Sequence, residues 1–155
     1  YADRFGVEFH AGEKPWGRVK ADVYMPCATQ NEIGLEDAKR MIEEGTSKLL
    51  IEVANMPTKA EAVEELQKAG FMIAPSKAVN AGGVAVSALE MSQNAMKLSW
   101  TEEEVDEKLK KIMKNIFNNI DSAAKKYGMD GNLIAGANIA GFLKVAEAML
   151  DEGIF

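Results

Sequence analysis

The chain has 155 residues, 47% of them hydrophobic and 27% charged, and a formal net charge of −6 at pH 7. That length suits one domain burying roughly 70% of the surface its unfolded chain exposes, and the composition excludes an intrinsically disordered chain. Acidic residues are dispersed and no Lys/Arg-rich block occurs, which argues against a nucleic-acid partner and leaves the charge as a contribution to solubility.

In chain order, Tyr1 to Gly6 reads as the tail of a helix stopped by a glycine. With no initiator Met, the expectation is a segment of a longer protein. Short apolar runs at residues 22–25, 49–53 and 71–74 are strand candidates, and residues 7–9 are a fourth. Between them lie helix patterns. Residues 36–44 carry Ala38, Met41 and Ile42 on one face; residues 59–69 carry Ala62, Val63 and Leu66. The second pattern opens on a capping box, Thr58 with Glu61, and stops at Gly70. Strand, helix, strand, helix, strand is the order of a parallel sheet with right-handed crossovers.

The remainder reads as helical. Residues 82–97 are mostly uncharged and are expected to be buried. Residues 101–127 open on a second capping box, Thr101 with Glu104, and carry an apolar stripe from Val105 through Leu109, Ile112, Met113, Ile116 and Phe117 to Ile120. Residues 133–151 are apolar at first and amphipathic later. The longest uncharged runs, 78–89 and 133–143, fall short of the ~20 residues of a membrane span, so no membrane partner is expected. No signal peptide is visible. The single cysteine, Cys27, allows no internal disulfide, which fits a reducing, cytoplasmic setting.

Each main strand candidate runs into small and amide residues. The first gives Pro26-Cys27-Ala28-Thr29-Gln30-Asn31-Glu32, the second Ala54-Asn55-Met56-Pro57-Thr58, the third Pro75-Ser76-Lys77-Ala78-Val79-Asn80-Ala81-Gly82-Gly83. Ligands of open parallel sheets bind outside the carboxyl ends of the strands. Thr29, Asn55 and Asn80 would then face one crevice, offering uncharged donors and acceptors suited to a carboxamide such as nicotinamide. Each cluster alone is also an ordinary set of turn formers; the coincidence of three carries the reading. Gly82 and Gly83 open an apolar helix whose free amides favour an anion. Ser87, one turn in, either bonds back to its own helix or faces a ligand. Asn138 is either a similar polar contact or a buried amide satisfied by backbone. His10 has no Cys, second His or acidic cluster beside it, so no metal site is expected. Cys27 reads as a small buried residue at a strand end.

These motifs resemble the glutamate dehydrogenases. The resemblance rests on Pro26 to Glu32, on Glu52-Val53-Ala54-Asn55-Met56-Pro57-Thr58, and on Ala74 to Val84. It continues through Leu89-Glu90-Met91-Ser92-Gln93-Asn94 and Ala135-Gly136-Ala137-Asn138-Ile139-Ala140-Gly141-Phe142. Five motifs in the family's order cover essentially the whole chain, but only about the last third of a family member. The resemblance implies an α/β fold: a partial Rossmann-like, doubly wound parallel sheet with crossover helices over about 1–97, and C-terminal helices over about 98–155. It implies NAD or NADP as cofactor. Ala28 and Thr29 would line the nicotinamide-ribose side, Asn55 would contact the ribose, and Asn80 would hold the carboxamide. Val84 and Ser87 would line the substrate pocket, Ser87 bonding the distal carboxylate of glutamate. The related leucine and phenylalanine dehydrogenases carry an apolar residue there, so the serine leans toward glutamate.

No Gly-x-Gly-x-x-Gly/Ala fingerprint occurs in the chain. By the resemblance, the catalytic lysine and aspartate also lie upstream, so no catalytic residue is expected within these residues. The expected parent enzyme converts L-glutamate reversibly to 2-oxoglutarate and ammonia, and family members are commonly homohexamers. Two alternatives stand beside it: a sibling leucine, phenylalanine or valine dehydrogenase, and a non-enzymatic nucleotide- or protein-binding module.

Overall fold

Two apolar triplets form the only regular ladder among the described residues, 1–153 of the chain, in this computed structural model. Strands β1 (Leu49–Ile51) and β2 (Met72–Ala74) pair in parallel, with Leu49 opposite Met72, Leu50 opposite Ile73 and Ile51 opposite Ala74. Parallel neighbours need a crossover, and helix α3 (Ala60–Lys68) provides it. On the other side of β1, Tyr24 makes a single parallel bridge to Leu50. Its N–H donates to the Leu49 carbonyl (3.0 Å), and its own carbonyl accepts from Ile51 (2.9 Å). The expected strand at 22–25 is therefore in place but reduced to one residue. Pro26, which follows, has no N–H to extend the ladder, and its carbonyl is shared by the N–H groups of Val53 and Ala54 (3.2 and 2.9 Å). The alternation of a half-covered strand survives: Tyr24 and Pro26 are buried, Val23 and Met25 exposed. Residues 7–9 form no strand; with Val7 and Phe9 exposed, nothing pairs or packs there to fix one.

Helix α1 (Ala2–Phe5) ends on Gly6 in the left-handed region, as expected. Helix α2 (Leu35–Glu44) packs Ala38 and Met41 into the core with Leu50, Ile73, Phe71 and, from α3, Ala62 and Leu66. The capping box expected at Thr58 does not form. Thr58 is drawn into a parallel bridge with Ile33, its hydroxyl is buried without a partner, and Lys59 becomes the N-cap. At the other end Gly70 acts as expected: with φ +83°, it lets its own N–H reach Gln67 O and the Phe71 N–H reach Leu66 O (both 2.9 Å), a Schellman closure that strains any residue with a Cβ.

Tyr24 sits at the centre of this core, edge-on to Trp16 and stacked near Phe71, each ring centroid 6.5 Å away. Its hydroxyl donates to Glu44 Oε2 at 3.0 Å. Burial first, then the bond to Glu44 and its negative charge, push the phenol from 10.0 up to about 12. The Thr46 hydroxyl is the chief cause holding the Glu44 carboxyl below its usual range. A phenol raised in the folded state contributes stability that is complete below the unfolded value near 10 and is lost as pH rises through the folded value. That loss is about 3 kcal/mol for such a shift. Alkaline unfolding should therefore be steeper in the wild type than in Tyr24→Phe, with about 2 kcal/mol of that difference falling between pH 10 and 12. Identical pH slopes would remove the argument.

After β2 the chain is helical: α4 (Ser76–Val79), α5 (Ala81–Met96), α6 (Glu102–Lys126) and α7 (Leu133–Glu152). The capping box expected at Thr101 is present: Thr101 N–H donates to Glu104 Oε2 (2.8 Å) and Thr101 Oγ1 accepts from Glu104 N (3.3 Å). A second core joins Ala78, Ile120, Leu133 and Ala137, with Ala74, Ile116 and Ala140 against it. Here α7 crosses α6 so closely that a Cβ on Gly136 would lie 2.1 Å from the Ile120 carbonyl oxygen. The expected burial of residues 82–97 is not found. No residue of α5 is buried, and Val84 is 75% and Met91 73% exposed. An uncharged helix can be buried only if an element is there to cover it, and in this chain α6 reaches just one side: Leu109 and Met113 approach Gly82. Helix α7 has 20 residues, and an 18-residue stretch of it has a mean hydropathy of 1.5, enough in length and apolarity to cross a membrane. Counting uncharged runs overlooks this, because Lys144 and Glu147 interrupt the run without lowering the mean far.

Candidate functional site

Because Tyr24, β1 and β2 run in the same direction, the segments that follow them leave the sheet at one end. Three backbone bonds stitch the first two segments together: Asn31 N–H to Met56 O (3.0 Å), Ile33 N–H to Pro57 O (2.9 Å) and Lys59 N–H to Ile33 O (3.0 Å). Two residues at this seam, Asn31 and Met56, hold φ of 56° and 44°. Asn visits that region readily, but for Met it stores backbone strain, about 1–3 kcal/mol. Such strain persists where surrounding structure over-determines it, and Met56 accepts one of the stitching bonds.

The second and third segments meet through side chains. Asn80 Nδ2 donates to Asn55 Oδ1 at 2.6 Å. The bond uses one donor of Asn80 and the acceptor of Asn55. Asn80 Oδ1 and Asn55 Nδ2 have no partner among the described residues, so together they present an acceptor and a donor. Below the pair lies Glu52, 6% exposed, whose carboxylate accepts from the Ser76 N–H (3.0 Å) while its own N–H donates to Ala74 O (3.0 Å). Asn80 is at once the C-cap of α4 and the N-cap of α5.

The first segment stands beside these two. Thr29 is exposed, its N–H directed to Glu32 Oε2 (3.3 Å), and Ala28 is exposed next to it. Lys14 donates to the Glu32 carbonyl (2.6 Å) and to the buried carboxylate of Asp37 (3.3 Å), which also accepts from Gly34 N–H (2.9 Å) and pairs with Arg40. Cys27 is exposed rather than buried, with its thiol directed to the Met25 carbonyl (3.2 Å). The strand ends before it, so no neighbouring strand covers it.

On α5, Val84 and Ser87 lie three residues apart and so share a face; both are exposed. The Ser87 hydroxyl donates to the Gly83 carbonyl at 3.2 Å, the back-bonded one of its two alternatives. Asn138 is exposed, not a buried amide; its Oδ1 accepts from Lys77 Nζ, tying α7 to α4. Among the described residues no three His, Cys, Asp or Glu side chains gather into a metal-holding group. His10 lies on the surface, 3.4 Å from Glu8.

The arrangement is an open polar face at the carboxyl ends of parallel strands, with an amide pair at its centre and a helix leading away. Sequence reasoning finds Asn55 and Asn80 as separate clusters but assigns no role to Glu52, Asn31, Met56 or Glu32. The one available signal is an acidic residue closing an apolar run, at Glu52.

Residues 1–153 match the family model described as Glutamate/Leucine/Phenylalanine/Valine dehydrogenase. The NAD-specific glutamate dehydrogenase of Clostridium symbiosum is 57% identical over 155 residues, which cover 99% of this chain and 34% of that protein. The NADP-specific glutamate dehydrogenase of Haemophilus influenzae is 50% identical over 100% of this chain and 34% of its own length. A solved structure of a glutamate dehydrogenase superposes with a TM-score of 0.93 at 56% identity, covering 99% of this chain and 34% of that one. The chain thus spans about a third of the length of these relatives.

Proposed function

The chain belongs to the glutamate/leucine/phenylalanine/valine dehydrogenase family, and from that membership we propose that it supplies the nicotinamide end of the cofactor cleft, and the side-chain end of the substrate pocket, of a glutamate dehydrogenase. The observation that carries this reading is the Asn55–Asn80 pair, 2.6 Å apart where parallel strands end. Its remaining acceptor and donor match a primary carboxamide and a ribose hydroxyl.

In this reading Asn80 holds the carboxamide, Asn55 the ribose, and the backbone of Ala28 and Thr29 lines the same side. A bound nicotinamide supplies the hydride chemistry; these residues orient it. Val84 and Ser87 face the substrate side chain. Ser87 exchanges its bond to Gly83 O for one to the distal carboxylate, and the amino end of α5 adds a favourable field for that charge. No residue here transfers a proton, so the segment positions reactants and the catalytic groups lie elsewhere in the full-length protein. NAD-specific and NADP-specific relatives both match along essentially the whole chain, and we assign the choice between the two cofactors to residues outside it.

The same proposal places the small parallel sheet as the second half of a doubly wound, Rossmann-like domain spanning about 1–97, with the helices of about 98–155 packed beside it. It places the whole protein in the cytoplasm as a homohexamer. The exposed thiol of Cys27 suits a reducing compartment. The uncovered apolar face of α5 suits a helix that a further part of the same protein covers.

The test is an assay of the full-length protein with glutamate and with leucine, each with NAD and NADP. Glutamate should be oxidised with the higher efficiency, and the 155-residue segment alone should turn over neither. A preference for leucine, or no activity with either amino acid, would overturn the assignment.

A further inference from the structure

We infer that Glu52 is a positioning residue for the cofactor: its buried carboxylate sets the orientation of α4 and, through it, of the Asn80 amide. The inference rests on the reading of Asn80 as the carboxamide-binding group.

Glu52 is the first residue beyond β1 and is 6% exposed, with the buried Pro57 and Thr58 a few residues on. A carboxylate in such a place costs desolvation unless it is bonded. Its Oε2 takes the N–H of Ser76, the first residue of α4 (3.0 Å). The carbonyl of Ser76 in turn accepts the N–H of Asn80 (2.9 Å). One peptide turn thus separates the carboxylate from the backbone of Asn80, and the bonds run in series. Asn55 lies three residues after Glu52, and Asn80 lies four after Ser76. The two segments are therefore joined twice by side chains, by Glu52 with Ser76 at the base and by Asn55 with Asn80 at the rim. With the base bond gone, α4 stays tied to the C-terminal helices through Ala78 and Lys77 but loses the bond that fixes its first turn to the Glu52–Asn55 segment, and the rim amides alone hold the register of the two segments. The packing of Ala78 and the bond from Lys77 to Asn138 do not supply this constraint, because they tie α4 to α6 and α7 and not to the Glu52–Asn55 segment.

The experiment is a double-mutant cycle in the full-length protein, read as NADH and NADPH affinity by fluorescence titration. Asn80→Ala alone should weaken binding by roughly 2- to 10-fold, the range of one lost neutral hydrogen bond. Glu52→Ala should weaken it by more than about 2-fold, and by no more than Asn80→Ala does. Glu52→Gln, which keeps an acceptor of the same shape for the Ser76 N–H, should stay within about 2-fold of wild type. Because Glu52 acts through Asn80, Glu52→Ala combined with Asn80→Ala should bind no worse than Asn80→Ala alone, whereas independent sites multiply their losses. Should Glu52→Ala fail to fold, Ser76→Pro deletes the same bond from the donor side, at a first helical position that accepts proline, and carries the same expectations. Multiplied losses, or a Glu52→Gln as weak as Glu52→Ala, would overturn the inference while leaving the cofactor reading intact. Unchanged affinity in Asn80→Ala would overturn both.

Discussion

Replacing Ser87 by valine in the full-length protein is expected to lower catalytic efficiency with glutamate by roughly 10- to 150-fold, the equivalent of one charge-assisted bond of about 1.5–3 kcal/mol. Ser87 lies in the amino-terminal half of α5, exposed, three residues after the exposed Val84. Its hydroxyl rests on the Gly83 carbonyl, a weak local bond that a ligand carboxylate would displace, since a neutral acceptor gives way to a charged one. In the proposed substrate pocket, valine would remove the donor and add a second apolar group, raising the desolvation cost of the carboxylate. Serine and valine have similar helix propensities, so α5 itself should be unaffected. Norvaline or methionine, which carry no distal charge, should lose less or gain. The quantity to measure is the ratio of the two efficiencies in wild type and variant. An equal loss for both substrates would mean that Ser87 only supports its helix, and the leaning toward glutamate would lose its physical basis in this chain.

The largest effect on stability is expected at Gly136. Helices α6 and α7 cross there with the Ile120 carbonyl oxygen 2.1 Å from where a Cβ would stand, and with the Ala124 Cβ at 3.1 Å. The first obstacle is main chain, so no side-chain rotation relieves it; the helices must separate. Gly136→Val should therefore destabilise the protein by about 3 kcal/mol, at the upper end of ordinary overpacking. Gly141, five residues further along α7, has nothing within 4 Å of the place a methyl group would take. Gly141→Ala should instead stabilise by about 1 kcal/mol through helix propensity alone. Denaturant midpoints of the two variants should move in opposite directions. A Gly136→Val protein as stable as wild type would show that the crossing yields cheaply.

Helix α5 shows why burial does not follow from composition. Its residues are apolar enough for a core helix, yet the chain offers α6 on one side and leaves Val84, Met91 and Met96 exposed. Composition reports what a helix tolerates. Whether anything covers it is a property of its neighbours.

What the sequence determined by itself was local or written in spacing. The order of strands and helices, the Thr101–Glu104 box, the closure at Gly70 and the clustering of Asn55 and Asn80 behind separate strands all follow from residues a few positions apart. The five motifs identified the family, because they stand along the chain in that family's order. Only the tertiary structure decided that Thr58 would leave its box to bridge Ile33, that residues 22–25 would pair through Tyr24 alone, and that Cys27 and Asn138 would face outward. It also decided that the Asn55 and Asn80 amides touch, with Glu52 buried beneath them. In each case but Cys27, which simply has no element to cover it, the partners are tens of residues apart. Local propensity differs by about 1 kcal/mol at most positions, so a bridge, a buried bond or the lack of a covering element outweighs it.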